Sequence, residues 1–316
     1  MFRTLVVPLD GSELAERALP YAVRLVSAAD GRLALVRVAL APPPARIDGA
    51  DWEQEQVAAV QEAEAYLAGV ADKLATRVPV KTSAPYGRAA RKILEAIDAF
   101  GADGVVMAAH GRTGLPHLVY GSVAEAVLAE SQVPVFLVHA QPGEAAPPPF
   151  DPSTARAVVP VDGSAFAEAA LETAADLVGT AGELVLVSVV EPPDHLERDE
   201  NGRVLAYLDQ QEEARTREAR GYLSRLTAEL VQRYPGMRIS PDVRIGEPAA
   251  GIAMASIDRR ADVVVMATHG RTGVRRAVLG SVAGAVLRTG STPVLLVGPR
   301  ESHRFADVLV GQGMAI

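Results

Sequence analysis

"VVMAAHGRTG" (105–114) returns as "VVMATHGRTG" (264–273). Each copy runs from an apolar, valine-rich stretch into a small polar loop with two glycines, the pattern of a buried strand entering a tight turn. Extended outward, 105–138 matches 264–297 at 21 of 34 positions, at an offset of 159. Upstream, "LVVPLDGSELAERAL" (5–19) matches "AVVPVDGSAFAEAAL" (157–171) at an offset of 152. A period of this size is far above that of solenoid repeats, so the chain is a duplicated domain. The offset grows by seven between the two blocks, so the second copy has the longer middle.

Between the copies lies "AQPGEAAPPPFDPSTAR" (140–156), rich in proline and small residues and suited to a linker. We expect domains at 1–140 and 156–299, a linker at 141–155 and a tail at 300–316. Within the first copy the sequence predicts strands at 2–9, 32–39, 79–84, 104–109 and 134–139. Helices are predicted at 13–28, 52–76, 88–100 and 122–131. The strands are apolar throughout rather than alternating, which fits a sheet covered on both faces. Helix 88–100 puts Ala89, Ile93, Ala96, Ile97 and Phe100 on one stripe. Strand–helix alternation of this length gives a parallel sheet with right-handed crossovers. The second copy repeats the plan, with a long amphipathic helix near 204–233 that reads as a solvated face over an apolar stripe, or as a partner-binding element.

The 316 residues suffice for two ordinary domains, and 49% apolar with 22% charged is a globular composition. A net charge of -8 provides no basic field for nucleic acid or an acidic membrane. The absence of cysteine excludes disulfides, thiolate metal sites and cysteine nucleophiles. No stretch approaches a membrane span, and the N-terminus reads directly as a strand, so the expectation is a cytoplasmic protein.

Ligands of such sheets sit at the carboxyl ends of the strands, where strand order reverses. Two repeated features fall there. "PLDGS" and "PVDGS" place Asp10 and Asp162 at the end of the first strand of each copy; the Asp and Ser also suit a helix N-cap that needs no ligand. The second feature is His110-Gly111-Arg112-Thr113-Gly114, followed after six residues by Gly121-Ser122 opening a helix. Loop N–H groups and a helix start facing each other make a polyphosphate cradle. Gly270, Gly273, Gly280 and Ser281 repeat the spacing, although glycine also serves a plain turn. There is no GxxxxGK[ST], no GxGxxG after the first strand, and no GxSxG around Ser281. His110 and His269 lack neighbours at metal-ligand spacing and read as loop histidines or as bases.

On these residues both halves resemble universal stress protein domains, and the pattern G-x-x-G, nine residues, G-[S/T] is that of the family's ATP-binding branch. Gly111, Gly121 and Ser122 match in one half, and Gly270, Gly280 and Ser281 in the other. The first glycine is Ala108 and Ala267 instead. At a positive φ that Cβ would cost roughly 1 kcal/mol or more; at a negative φ it adds only a methyl group.

The resemblance implies an α/β, Rossmann-like fold: two tandem domains, each a five-stranded parallel sheet of order 3-2-1-4-5 with helices on both faces. It also implies ATP at the carboxyl edge. Asp10 would contact the adenosine part, Val38 would line the adenine pocket, and Met107 and Ala108 would border the ribose. Gly111, Gly121, Ser122 and the N–H of Val123 would hold phosphates. The second-half counterparts are Asp162, Val189, Met266, Ala267, Gly270, Gly280, Ser281 and Val282. Met107 and Met266 end apolar strands, so core packing accounts for them as well. Arg112 and Arg271 are candidates for phosphate contact or for solvated surface.

The expected function is a nucleotide-binding stress-response module with two similar sites, taking ATP with Mg2+. Nothing in the sequence marks a water activator, so at most slow ATP hydrolysis is expected. The rival readings are a tandem scaffold that regulates partner proteins without nucleotide, and a genuine ATPase. The two halves are expected to pair within the chain through the strands near 134–139 and 293–298, with a homodimer as a further step.

Overall fold

The computed structural model describes residues 2–40, 49–109, 121–139, 151, 154–198, 204–268 and 279–298. Gly111, Arg112, Gly270 and Arg271, the tail, and nearly all of the linker lie outside the described residues. The chain divides into two compact units, one of Met1–Pro152 with Pro293–Leu296 and the other built on Ser153–Thr292.

The first unit runs β1 (Thr4–Pro8), α1 (Glu13–Glu16), α2 (Ala18–Ser27), β2 (Arg32–Val36), α3 (Gly49–Leu74), β3 (Val80–Ser83), α4 (Ala89–Phe100), β4 (Gly104–Ala108), α5 (Gly121–Glu130) and β5 (Val135–Val138). Its sheet order is β3-β2-β1-β4-β5, with every pairing parallel. Leu5, Val6 and Val7 are buried, as are Leu33, Leu35, Val105 and Val106, because helices cover both faces. The stripe expected on α4 is buried at Ile93, Ala96 and Ile97. Burying each of the two isoleucines contributes roughly 1.5–3 kcal/mol, and the alanine methyl less.

The second unit repeats the order of elements: β6 (Arg156–Pro160), α6 (Ala165–Glu168), α7 (Ala170–Val178), β7 (Glu183–Val190), β8 (Glu197–Arg198), β9 (Val204–Ala206), α8 (Leu208–Arg233), β10 (Arg238–Ile245), α9 (Pro248–Asp258), β11 (Val263–Ala267), α10 (Ser281–Thr289) and β12 (Val294–Val297). The order is β10-β7-β6-β11, again parallel, with β12 next after β11. In both units order reverses beside the first strand, which has the second strand on one side and the fourth on the other. That is the switch point at which such sheets bind ligands.

Two local expectations change. The single helix expected over 13–28 is two, because the turn at Arg17 ends α1 and begins α2; Ala169 does the same between α6 and α7. The long helix expected near 204–233 starts at Leu208, because 204–206 is instead β9, antiparallel to β8. This small hairpin lies in the longer middle of the second copy.

The outer strand β10 carries Pro241, opposite Leu186, and the buried Asp242. Arg244 Nε and Nη2 donate to the two Asp242 oxygens at 2.9 Å each, and Arg259 Nε donates at 2.9 Å. Arg244 Nη1 also reaches Asp258 at 2.7 Å, which ties the end of α9 to the strand.

Candidate functional site

In the first domain each strand-to-helix turn is built locally. The Ser12 N–H and hydroxyl donate to Asp10 Oδ1 at 2.9 and 2.6 Å, and the Ala15 N–H donates to Ser12 Oγ at 3.2 Å. Asp10 therefore fixes Ser12, and Ser12 caps α1. The second domain repeats this, with Ser164 donating to Asp162 at 3.0 and 2.6 Å and Ala167 donating to Ser164 Oγ at 3.2 Å.

Above the carboxyl ends of β1, β2 and β4 lies a cavity of about 370 Å³. Asp10, Val38, Met107, Ala108, Gly121, Ser122 and Val123 all line it, so the described candidates of the first half meet around one space. Its ends differ chemically. At one end the first turn of α5 presents backbone N–H groups and the positive end of its dipole, which suits an anion. At the other, Val36, Val38, Ala59, Ala63 and Ile93 form an apolar wall. Met107 is 6% exposed and serves both the core and the wall.

Sequence reading missed the charged side chains of this wall, Arg37 and Glu62. Arg37 Nη2 donates to Glu62 Oε1 at 2.8 Å. Its guanidinium carbon lies 4.8 Å from the centre of the Tyr66 ring, a cation–π distance. Tyr66 donates its hydroxyl to Glu16 at 2.8 Å, and burial together with that carboxylate pushes its ionisation well above the ordinary phenol range. The detectable signal was a single charge inside "LALVRVAL" (33–40).

In the second domain Asp162, Val189, Met266 and Ala267 occupy the matching places at the ends of β6, β7 and β11, and Gly280, Ser281 and Val282 open α10. Val189 packs hard against α9: a Cβ on Gly251 would come within 2.9 Å of both Val189 methyls, so glycine is required there. The Gly280 N–H donates to the Thr268 carbonyl at 2.8 Å.

The model of the Universal stress protein family matches residues 1–139 and again 154–298. The chain belongs to the universal stress protein family. A universal stress protein of Mycolicibacterium smegmatis is 27% identical over 312 residues, covering 94% of this chain and 97% of its own. One from Mycobacterium tuberculosis is 32% identical over 196 residues, 62% of this chain; the match spans 61% of that relative's length. Among solved structures, a universal stress protein from Archaeoglobus fulgidus aligns with a TM-score of 0.67 at 23% identity, over 95% of this chain and 97% of that one, a likeness of fold.

Within the universal stress protein pattern, the alanines that replace the first glycine close strands β4 and β11. Among the described residues, positive φ at non-glycine positions occurs only at Asp30 and Arg260. Ala108 and Ala267 therefore carry no left-handed strain, and each adds only a methyl group. The later glycines differ between copies: Gly121 has φ +73°, whereas Gly280 has φ −55° and ψ 149°.

Proposed function

We propose that the chain is an ATP-binding stress-response module with two similar sites, acting as a nucleotide-dependent switch. The observation that carries this reading is the convergence of seven motif residues around one cavity at the switch point of the first domain. The volume suits a small-molecule site. Its apolar wall fits a base, and the start of α5 fits phosphates, which would bring Mg2+ with them. In the second domain the corresponding segments keep the same places, and we assign that domain the same ligand.

A binding role is supported over a catalytic one by the engagement of the two carboxylates at the cavity, Asp10 by Ser12 and Glu62 by Arg37. At most slow ATP hydrolysis is assigned. Among the described residues no helix is long and apolar enough to cross a membrane; a cytoplasmic setting is proposed. Pairing of the two domains within the chain, through the strands near 134–139 and 293–298, is proposed too. A homodimer and a downstream protein partner would follow from a switching role.

Calorimetric titration of Mg-ATP into the nucleotide-stripped chain should give two binding events per chain. Absence of heat, together with no nucleotide retained on purification, would favour a scaffold instead.

A further inference from the structure

We propose that Arg37 is a ligand-binding residue of the first cavity and that its absence from the second copy makes the two sites unequal. The inference rests on the nucleotide reading above and deepens it.

Arg37 is held before any ligand arrives. Its side chain is 13% exposed, paired with Glu62 and stacked on Tyr66. The guanidinium also meets the β1–α1 turn, where a Cβ built on Gly11 would lie 3.3 Å from its carbon. A guanidinium carries five N–H donors on a rigid fork, and Glu62 engages it through Nη2. Because the side chain is already ordered, little rotamer entropy remains to be lost when a ligand oxygen or nitrogen accepts from it. The positive charge also offsets Asp10 and Glu62, which would otherwise repel a polyanion entering the cavity.

The alternative is that Arg37 only fastens α3 to the sheet. The second copy supplies the control. "GRLALVRV" (31–38) aligns with "GELVLVSV" (182–189), which puts Ser188 at the place of Arg37. α3 and α8 have 26 residues each, and their buried rows match, Leu67, Val70 and Leu74 with Leu223, Leu226 and Leu230. Tyr222 donates to Glu168 at 2.7 Å as Tyr66 does to Glu16. The long helix is thus fastened in the second copy with no arginine on the strand, so the fold does not require one.

At the place of Ala59 the second copy has Arg215, which is exposed and donates to the Glu191 carbonyl at 3.3 Å. An exposed cation is screened by salt and mobile, so it replaces the held guanidinium only weakly.

A charge-assisted hydrogen bond at the first site is worth about tenfold in affinity or more. Titration of Mg-ATP into the parent should resolve a tight and a weak step separated by at least about that factor. Arg37→Ser should collapse the tight step onto the weak one while leaving the stoichiometry at two. Arg37→Gln, which keeps two N–H donors on a shorter side chain but loses the charge, should flatten the salt dependence of the tight step, a readout that a fastening role would not move. Two equal steps in the parent, or an unchanged isotherm in both variants, would overturn the inference while leaving the nucleotide reading intact. No binding by the parent would remove both.

Discussion

Replacing Asp242 by alanine should destabilise the chain by about 3 kcal/mol, measured as the free energy of urea unfolding. Asp242 is 8% exposed and accepts three hydrogen bonds from Arg244 and Arg259. Removing it leaves two guanidinium groups facing each other without their shared anion. Their side chains are 23% and 39% exposed, so water offsets part of the loss and places the effect at the lower end of the range for broken buried pairs. The pH dependence carries a definite sign. Burial by itself would raise the Asp242 pKa, but the hydrogen bonds and charges of Arg244 and Arg259 outweigh it and hold the carboxyl below its ordinary range. A depressed folded pKa means that the contribution is complete above the unfolded value of about 3.9 and is lost as pH falls through the folded value. The deficit of Asp242→Ala should therefore be constant near neutrality and shrink in acid. A deficit under about 1 kcal/mol at pH 7 would show that the cluster is a solvated surface pair.

Gly121→Val should weaken nucleotide binding at the first site by about a hundredfold or more, with the fold retained by circular dichroism. At φ +73° a β-branched residue is a steric outlier, so the backbone must rotate away from the conformation that opens α5. Residues 121–124 form one end of the cavity, and such a rotation redirects the N–H groups of Ser122 and Val123 together. Losing two charge-assisted hydrogen bonds accounts for a factor of that size. Gly280→Val is the matched comparison, because φ −55° with ψ 149° is open to any residue. It should cost the second site less. Equal losses at the two sites would mean that the glycine conformations are unrelated to binding.

Much of the fold was legible because periodicity and duplication reinforce each other. The uniformly apolar runs at β1, β4, β6 and β11 had no other plausible place than the middle of a covered sheet, and reading each against its copy fixed the phase. The break at Arg17 was only partly legible: Pro20 stands three residues on and removes one helical N–H donor, but the second copy breaks at Ala169 with Glu172 at that place, so the proline alone does not account for it. The β8–β9 hairpin was hidden because Val204-Leu205-Ala206 is too short an apolar run to separate strand from helix onset. At the candidate site, residues were found where a small or acidic side chain sits at a strand end, as at Asp10 and Ala108. Arg37 and Glu62 escaped because they come from the flank of β2 and the middle of α3, and only the packing of that helix brings them together.

Pro241 has a consequence beyond its own strand. As part of the outermost strand β10, it has no amide hydrogen to offer a newcomer, and next to it stands a carboxylate already claimed by two arginines. A foreign extended segment seeking to lengthen the sheet there would find a gap in the ladder and a charge it must bury. That rim is therefore sealed against runaway polymerisation, and copies of the chain crowded together would not template their own aggregation along β10.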